Sequence, residues 1–209
     1  MSIRQMLFHN EIVPGQKIPF LDLAKKFEMS PTPVIHALKF LEFQGLIRHE
    51  PNRGYYMEPL NLEELQQIYE IRELLESSLL TETLKCLNQK GIKRLKDALK
   101  AHLSAIQDVY INERILKDIE FHLTLASLSQ KSLQQKMLQN LFDLLYLKYR
   151  NSMSYVTSMH PVDSEHQVIF DAVVSRNIHK AQKIISKHIL HAKKHALISL
   201  ERMMKEKEG

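Results

Sequence analysis

Four residues of this sequence, Asp118, His122, His166 and His188, have the types and positions that a metal site requires. Asp118 and His122 are four residues apart in a segment of helical periodicity, so both side chains lie on one face of the predicted helix. His166 and His188 fall on two later predicted helices. One carboxylate and up to three imidazoles suit a borderline divalent ion, zinc or nickel first and manganese or iron with lower preference. Spacing alone also allows the alternative that the four are unrelated polar residues.

Helical periodicity continues after Tyr56 with few breaks, and it predicts the elements that carry these four residues. One long helix is predicted from Asn61 to about Cys86, and others over residues 91–109, 114–129, 132–157, 162–175 and 178–206. His191, one turn beyond His188, is expected to face water. Residues 60–209 are thus predicted to form an all-α antiparallel helical bundle. It has more apolar positions than the packing of its own helices needs, so part of its surface is expected to be buried against a partner subunit in a homodimer.

The residues before this bundle predict a winged helix-turn-helix. Residues 21–27 and 34–41 carry two apolar stripes at helical spacing, about three residues apart, which is helix-turn-helix spacing. Ser30 is a candidate N-cap of the second helix, and Gly45 is a good helix stop. Residues 46–58 then read as two strands around the turn residues 51–54, which predicts a β-hairpin, the wing. Another helix is predicted near the start, from Ile3, Met6 and Leu7.

Composition and charge limit the classes of protein. Hydrophobic residues make up 44% of the 209, enough for a core in each of two domains, and we place the boundary so that the domains span 1–59 and 60–209. The net charge of +5 allows nucleic acid as a partner without demanding it. The single Cys86 excludes an intramolecular disulfide framework. No apolar run has transmembrane length and the first residues lack a signal-peptide core, so we expect a cytoplasmic protein without a membrane partner.

The N-terminal domain, residues 1–59, which we call the head, resembles the DNA-binding domain of GntR-family transcriptional regulators. The resemblance is carried by Pro14, Gly15, Leu23, Ala24, Ser30, Thr32, Pro33, Val34, Ala37, Leu38, Leu41, Gly45, Leu46, Arg53 and Gly54. It implies a double-stranded DNA operator as the partner, bound by a homodimer with each recognition helix in a major groove. The candidate DNA-binding residues are Lys25, Lys26, Ser30, Thr32, His36, Lys39, Arg53 and Gly54.

The bundle resembles the FCD sensor domain, the FadR-type C-terminal domain of one GntR subfamily. The matching segments are residues 118–122, 165–169 with Ala172 and Val173, Ala181 with His188, and 70–76. In many members of that subfamily one Asp and three His bind a metal that in turn holds a small carboxylate effector. The resemblance implies this role for Asp118, His122, His166 and His188. It also points Arg72 into the bundle, where a guanidinium can grip a carboxylate, although a buried ion pair with Glu76 is an equal and compatible alternative.

The head departs from the family pattern at two positions of the recognition helix. Most members have arginines where this chain has Pro31 and Ile35, and those arginines contact operator phosphates and bases. Each lost charged contact weakens binding and lowers its salt dependence. Operator sequence and affinity therefore do not transfer from the family to this chain, and a head that has lost DNA binding is one alternative.

The function predicted from the sequence is that of a bacterial-type transcriptional regulator, a repressor in our interpretation, that responds to a metal-bound carboxylate. Two alternatives stay open. One is a metal or metabolite sensor that has lost specific DNA binding and acts through protein partners. The other is a mononuclear metalloenzyme, against which the sequence offers no H-E-x-x-H pattern and no convincing general base beside the four candidate ligands.

Overall fold

The computed structural model describes residues 11–105, 111–153 and 162–208 and divides the chain into two compact units. The first unit comprises Met1–Asn61 together with Asp143–Tyr149. The second comprises Leu62–Phe142 and Arg150–Gly209. The helix predicted from Ile3, Met6 and Leu7 lies outside the described residues.

The first unit is a helix-turn-helix followed by a wing. Strand β1 (Lys17–Ile18) is followed by helices α1 (Phe20–Lys26) and α2 (Pro31–Phe43) and by strands β2 (Ile47–Glu50) and β3 (Gly54–Met57). The three strands form one antiparallel sheet in the order β1-β3-β2, with Ile47 opposite Met57 and Ile18 opposite Tyr55. The short strand β1 was not predicted, because two residues are too few to show alternation.

Local sequence explains where the helices and the turn of this unit fall. Pro31 occupies the first turn of α2, where its missing N–H is not needed. Ser30 is the N-cap residue of α2, as predicted, although its side chain makes no capping hydrogen bond. Gly45 (φ +75°) and Gly54 (φ +104°) take left-handed conformations that suit glycine. They end α2 and open β3.

The regular elements that lie wholly or mainly in the described part of the second unit are all helices. They are α3 (Leu62–Cys86), α4 (Gln89–Ala105), α5 (Ile111–Ser127), α6 (Ser132–Leu144), α7 (Arg150–Met153), α8 (Val162–Val174) and α9 (Ile178–Glu208). Helix α9 packs along α3 and α8, while α4 packs against α5 and α8, and α5 also contacts α3. The centre of the unit therefore receives side chains from α3, α4, α5, α8 and α9.

The fold class predicted from the sequence, a winged helix-turn-helix followed by an all-helical domain, is confirmed. One predicted helix is interrupted. Between α6 and α7 the chain forms a π-helical segment, Leu145–Tyr149, within the span predicted as one helix over residues 132–157. In the first unit the Tyr149 hydroxyl donates to the carbonyl oxygen of Asn61 at 3.0 Å. Among the described helices, none is long and apolar enough to cross a membrane.

Candidate metal centre

The four candidate ligands meet in the core of the second unit. Asp118 and His122 come from α5, His166 from α8 and His188 from α9, and one ligand atom of each lies within 4.8 Å of the others. His122 and His166 are fully buried and His188 is 3% exposed, whereas the Asp118 side chain is 27% exposed.

 The span from Asp118 to His188 is covered by three separate helices, and it is their packing that makes one cluster of four residues.

Two carboxylates outside the cluster fix how the histidines are oriented. Glu76 of α3 lies 2.6 Å from Nδ1 of His122, and Glu165 of α8 lies 2.9 Å from Nδ1 of His188. Both carboxylates are ionised near neutral pH, because the pKa of each is lowered to about 2. An ionised carboxylate only accepts, so Nδ1 must carry the proton in both rings, and Nε2 then presents its lone pair. This is the arrangement that orients metal-binding histidines in proteins.

The positions of the ligand atoms fit a divalent cation. Nε2 of His122 lies 3.1 Å from Nε2 of His188, and with Nδ1 protonated in both rings these two lone pairs repel each other unless a proton or a cation lies between them. Oδ1 of Asp118 is 2.9 Å from Nε2 of His166 and 3.8 Å from Nε2 of His122. Metal–ligand bonds of about 2.0–2.2 Å place the ligands of one ion roughly 3–4 Å apart. The types of the four ligands and their spacing therefore suit the borderline divalent ion that the sequence predicts.

The electrostatics keep Asp118, His122 and His188 in the protonation states that metal binding needs. Burial lowers the pKa of His188 to about 4 and also lowers the pKa of His122, so both rings are neutral at pH 7. Burial by itself would raise the pKa of Asp118, but the neighbouring His122 and the contact with His166 hold it well below its usual range. The cluster thus presents one carboxylate and the neutral imidazoles of His122 and His188 to a cation.

Arg72 of α3 lies beside the cluster and takes part in one of its carboxylate contacts. Its side chain is 3% exposed, and its Nε donates to Oε1 of Glu76 at 2.5 Å. Its guanidinium carbon also lies 4.6 Å from the ring centre of Phe142. The Nη2 atom has no hydrogen-bond partner among the described residues. The ion pair with Glu76 considered from the sequence is therefore present, and it leaves one donor of Arg72 available for a ligand.

His102 of α4 is a further buried histidine beside the cluster. It is 4% exposed, and the centre of its ring lies 4.0 Å from the centre of the His166 ring. Neither ring nitrogen has a hydrogen-bond partner within the described part of the chain. Burial, and then the neighbouring His166, lowers the pKa of His102 to about 4, so the ring is neutral at pH 7. An unpaired buried polar group costs about 1–3 kcal/mol.

Sequence reasoning missed His102 and left Glu165 without a role. The signal for His102 was available, because it continues the buried stripe Leu95, Ala98 and Leu99 of α4 at helical spacing. Glu165 also accepts from Nδ1 of His191 at 2.8 Å, although His191 was expected only to face water and its side chain is 45% exposed. These contacts join different helices, so spacing along the chain could not reveal them.

The candidate DNA-binding residues lie on the surface of the first unit. Ser30, Thr32, His36 and Lys39 are exposed at the start of α2 or along it, as are Lys25 and Lys26 on α1 and Arg53 at the tip of the wing. Several of the cations have acidic neighbours. Lys26 lies 3.0 Å from Glu11, Arg53 lies 3.4 Å from Glu50, and Lys25 lies 3.8 Å from Asp22. Gly54 is half-buried in the wing and opens β3.

Family models match both parts of the chain. The model described as the FCD domain matches residues 67–191, and the model described as bacterial regulatory proteins, gntR family, matches residues 1–57. The first match includes all four candidate ligands, Arg72, His102, Glu76 and Glu165. The second includes every candidate DNA-binding residue.

Curated relatives and solved structures agree with these matches. The HTH-type transcriptional regulator LutR of Bacillus subtilis is 27% identical over 88% of this chain and 93% of its own length. The uncharacterized HTH-type transcriptional regulator YdhC of the same organism is 25% identical over 96% of this chain and 90% of its own. A putative GntR regulator from Rhodococcus sp. RHA1 superposes with a TM-score of 0.79 at 20% identity, covering 93% of both chains. McbR/YncC of E. coli superposes with a TM-score of 0.78 at 16% identity, covering 90% of both chains. At such identities the two solved structures show similarity of fold alone.

Proposed function

Because this chain belongs to the GntR family of bacterial regulatory proteins and carries an FCD domain, we propose that it is a metal-dependent, carboxylate-responsive repressor. As its family and relatives indicate, it is a transcriptional regulator and not an enzyme, so the metalloenzyme alternative is set aside. Residues 1–59 bind a double-stranded operator as part of a homodimer. Residues 60–209 bind the metal and the effector.

The observation that carries the metal part of this proposal is the pair of facing Nε2 atoms of His122 and His188. They are 3.1 Å apart, and each ring is held through Nδ1 by its own carboxylate. Asp118 and His166 complete the set of ligands for zinc or nickel, with manganese or iron as poorer choices. A divalent cation held there would supply a Lewis acid to which one carboxylate oxygen of an effector binds.

The effector part of the proposal is supported by Arg72. Among the described residues, no partner takes the Nη2 donor of its buried guanidinium, and a guanidinium binds carboxylates well. Such an effector would bind more tightly to one arrangement of the dimer's two DNA-binding units than to another. It would thereby shift the dimer towards that arrangement and change its affinity for the operator.

Metal content of the purified full-length protein tests the first part. We expect about one metal per chain, loss of that metal on chelation, and a melting temperature that falls with it. His122→Ala and His188→Ala should each lower the metal content sharply. His179→Ala, at an exposed histidine of α9, is the matched control and should keep it. Full metal occupancy in both cluster variants would overturn the metal proposal.

A gel shift with the DNA upstream of the protein's own gene tests the second part. The metal-loaded protein should retard this DNA, and a small carboxylate should release it. Because Lys26 and Arg53 already have acidic partners, a sensor that acts through proteins instead of DNA is the second candidate function. Absence of any shift, at low salt and with metal bound, would favour that candidate.

A further inference from the structure

His102 lies beside the metal cluster, and both of its ring nitrogens are buried without a hydrogen-bond partner among the described residues. Its ring packs on His166, one of the four candidate ligands, with 4.0 Å between ring centres and 40° between ring planes. The His102 nitrogens do not belong to the group of ligand atoms that lie within 4.8 Å of one another. The histidine thus borders the site without being one of its four ligands.

Apart from His166, which is itself a candidate ligand, the unpaired buried side-chain atoms described around the cluster come from two different helices. Arg72 of α3 offers Nη2, which can only donate, whereas His102 of α4 offers two ring nitrogens, and an imidazole can both donate and accept. Arg72 reaches the cluster through Glu76 and His122, and His102 reaches it through His166. An effector with a single carboxylate would satisfy Arg72 and leave His102 unpaired. A hydroxyl group both donates and accepts, so it can pair with either kind of imidazole nitrogen.

We propose that His102 determines effector specificity by hydrogen bonding to a second polar group, a hydroxyl, of the carboxylate held at the metal cluster. The inference rests on the proposed carboxylate-sensing function and narrows its ligand class to hydroxycarboxylates. It assigns His102 to contact with the effector and not to the metal.

Acetate and glycolate are matched probes, because glycolate is acetate with one added hydroxyl. Their dissociation constants should be measured by calorimetry on the metal-loaded full-length protein, for the wild type, His102→Leu and His102→Gln. His179→Leu serves as the control, since it makes the same change at an exposed histidine. Metal per chain is measured on every sample. Comparing ratios of the two constants removes any intrinsic preference of the metal for glycolate.

We expect His102→Leu to keep its metal and its acetate affinity, and to lose about 3- to 10-fold of the preference for glycolate, the range of one hydrogen bond. His102→Gln should restore part of that preference, and His179→Leu should leave it unchanged. An unaltered preference in His102→Leu would overturn the inference, as would an equal loss of affinity for both probes. Loss of metal from His102→Leu would make the residue a ligand and overturn it too.

A different experimental result would contradict the proposed function. If the wild-type protein binds metal but neither acetate nor glycolate, the carboxylate-sensing function is wrong, and the role of His102 falls with it. If wild type and variants bind both probes with the same ratio, carboxylate sensing stands and only the role of His102 is wrong.

Discussion

At the scale of single residues, the candidate site is organised by pairs of a histidine and a carboxylate. His122 with Glu76 and His188 with Glu165 each use Nδ1 for the carboxylate and turn Nε2 towards the other ring. Glu165 makes a second contact of this kind with His191, so one carboxylate holds two turns of α9. Such outer carboxylates raise the basicity of a ligand and fix its tautomer.

Replacing Glu165 tests this arrangement. The amide of Glu165→Gln has the same shape but no charge, so it holds the Nδ1 proton of His188 less strongly. We expect metal affinity to fall by about 10- to 100-fold, with the fold intact. The measurement is competition with a chromophoric chelator. Glu201→Gln, at an exposed position of α9, is the control. Equal affinity in both variants would show that Glu165 does not position the ligand.

The same residues show how far sequence can predict a site. The four candidate ligands were named from residue type, spacing and family pattern, and the structure brings their ligand atoms together. Their role as ligands stays a prediction. Glu165 and His102 were not assigned roles, because their significance depends on which helices pack together, and periodicity describes each helix separately. The contact between α4 and α8 that places His102 on His166 is of this kind.

At the scale of elements, the helices and the wing were predictable because their signals are local. Apolar periodicity, Pro31 and the glycines set the bounds of α2 and the wing to within a residue or two. The two-residue strand β1 carries no such signal, since it pairs with β3 across about 40 positions of the chain. The π-helical segment Leu145–Tyr149 is also invisible in the sequence, because its apolar residues fit an α-helix equally well.

The recognition helix α2 supports a prediction about DNA affinity. Ile35 is half-buried on α2, at one of the two positions where the family pattern has an arginine. Ile35→Arg should tighten operator binding and steepen its dependence on salt by about one unit of logarithmic slope, because one more phosphate is neutralised. Fluorescence anisotropy at several salt concentrations measures both effects.

Ile198→Arg is the matched control for Ile35→Arg. It adds the same charge at an exposed isoleucine of α9, in the second unit. If both variants change the salt slope equally, the gain is due to net charge and not to a contact of α2. If neither changes it, α2 does not lie against DNA at Ile35.

At the scale of the whole molecule, a face of α3 and α6 has the properties of a subunit interface. Leu74 of α3 and Leu133 of α6 are each 71% exposed, and Met137 is 48% exposed. The two helices are neighbours here, because Gln134 donates to the hydroxyl of Ser78 at 3.5 Å. Large apolar side chains on adjacent exposed faces are typical of a surface that another subunit covers.

A homodimer through this face is the corresponding prediction. The wild-type protein should sediment as a dimer, and the double variant Leu74→Glu with Leu133→Glu should sediment as a monomer, because it would bury two carboxylates without partners. Leu190→Glu, at a leucine of α9 that is 57% exposed, should remain dimeric. A double variant that stays dimeric would place the interface elsewhere.

The buried histidines also make the stability of the metal-free protein depend on pH. In the folded state the pKa of His188 and of His102 is about 4, against an ordinary value of 6.5, and that of His122 is lowered as well. The unfolded chain therefore binds more protons between these values, so stability is full above pH 6.5 and falls as the pH drops towards 4. Each fully shifted histidine contributes on the order of 3 kcal/mol over this window.

Urea unfolding of the chelated protein between pH 7.5 and 4.5 measures this dependence. We expect the free energy of unfolding to fall steadily below pH 6.5, and His188→Gln to show a shallower fall than the wild type, because one of the shifted groups is gone. His179→Gln, at an exposed position, should follow the wild type. With metal bound the fall should become steeper, since protons then also displace the metal from its ligands. Stability that stays constant from pH 6.5 to 4.5 without metal would mean that these histidines are hydrated in solution, which contradicts their burial in the core of the second unit.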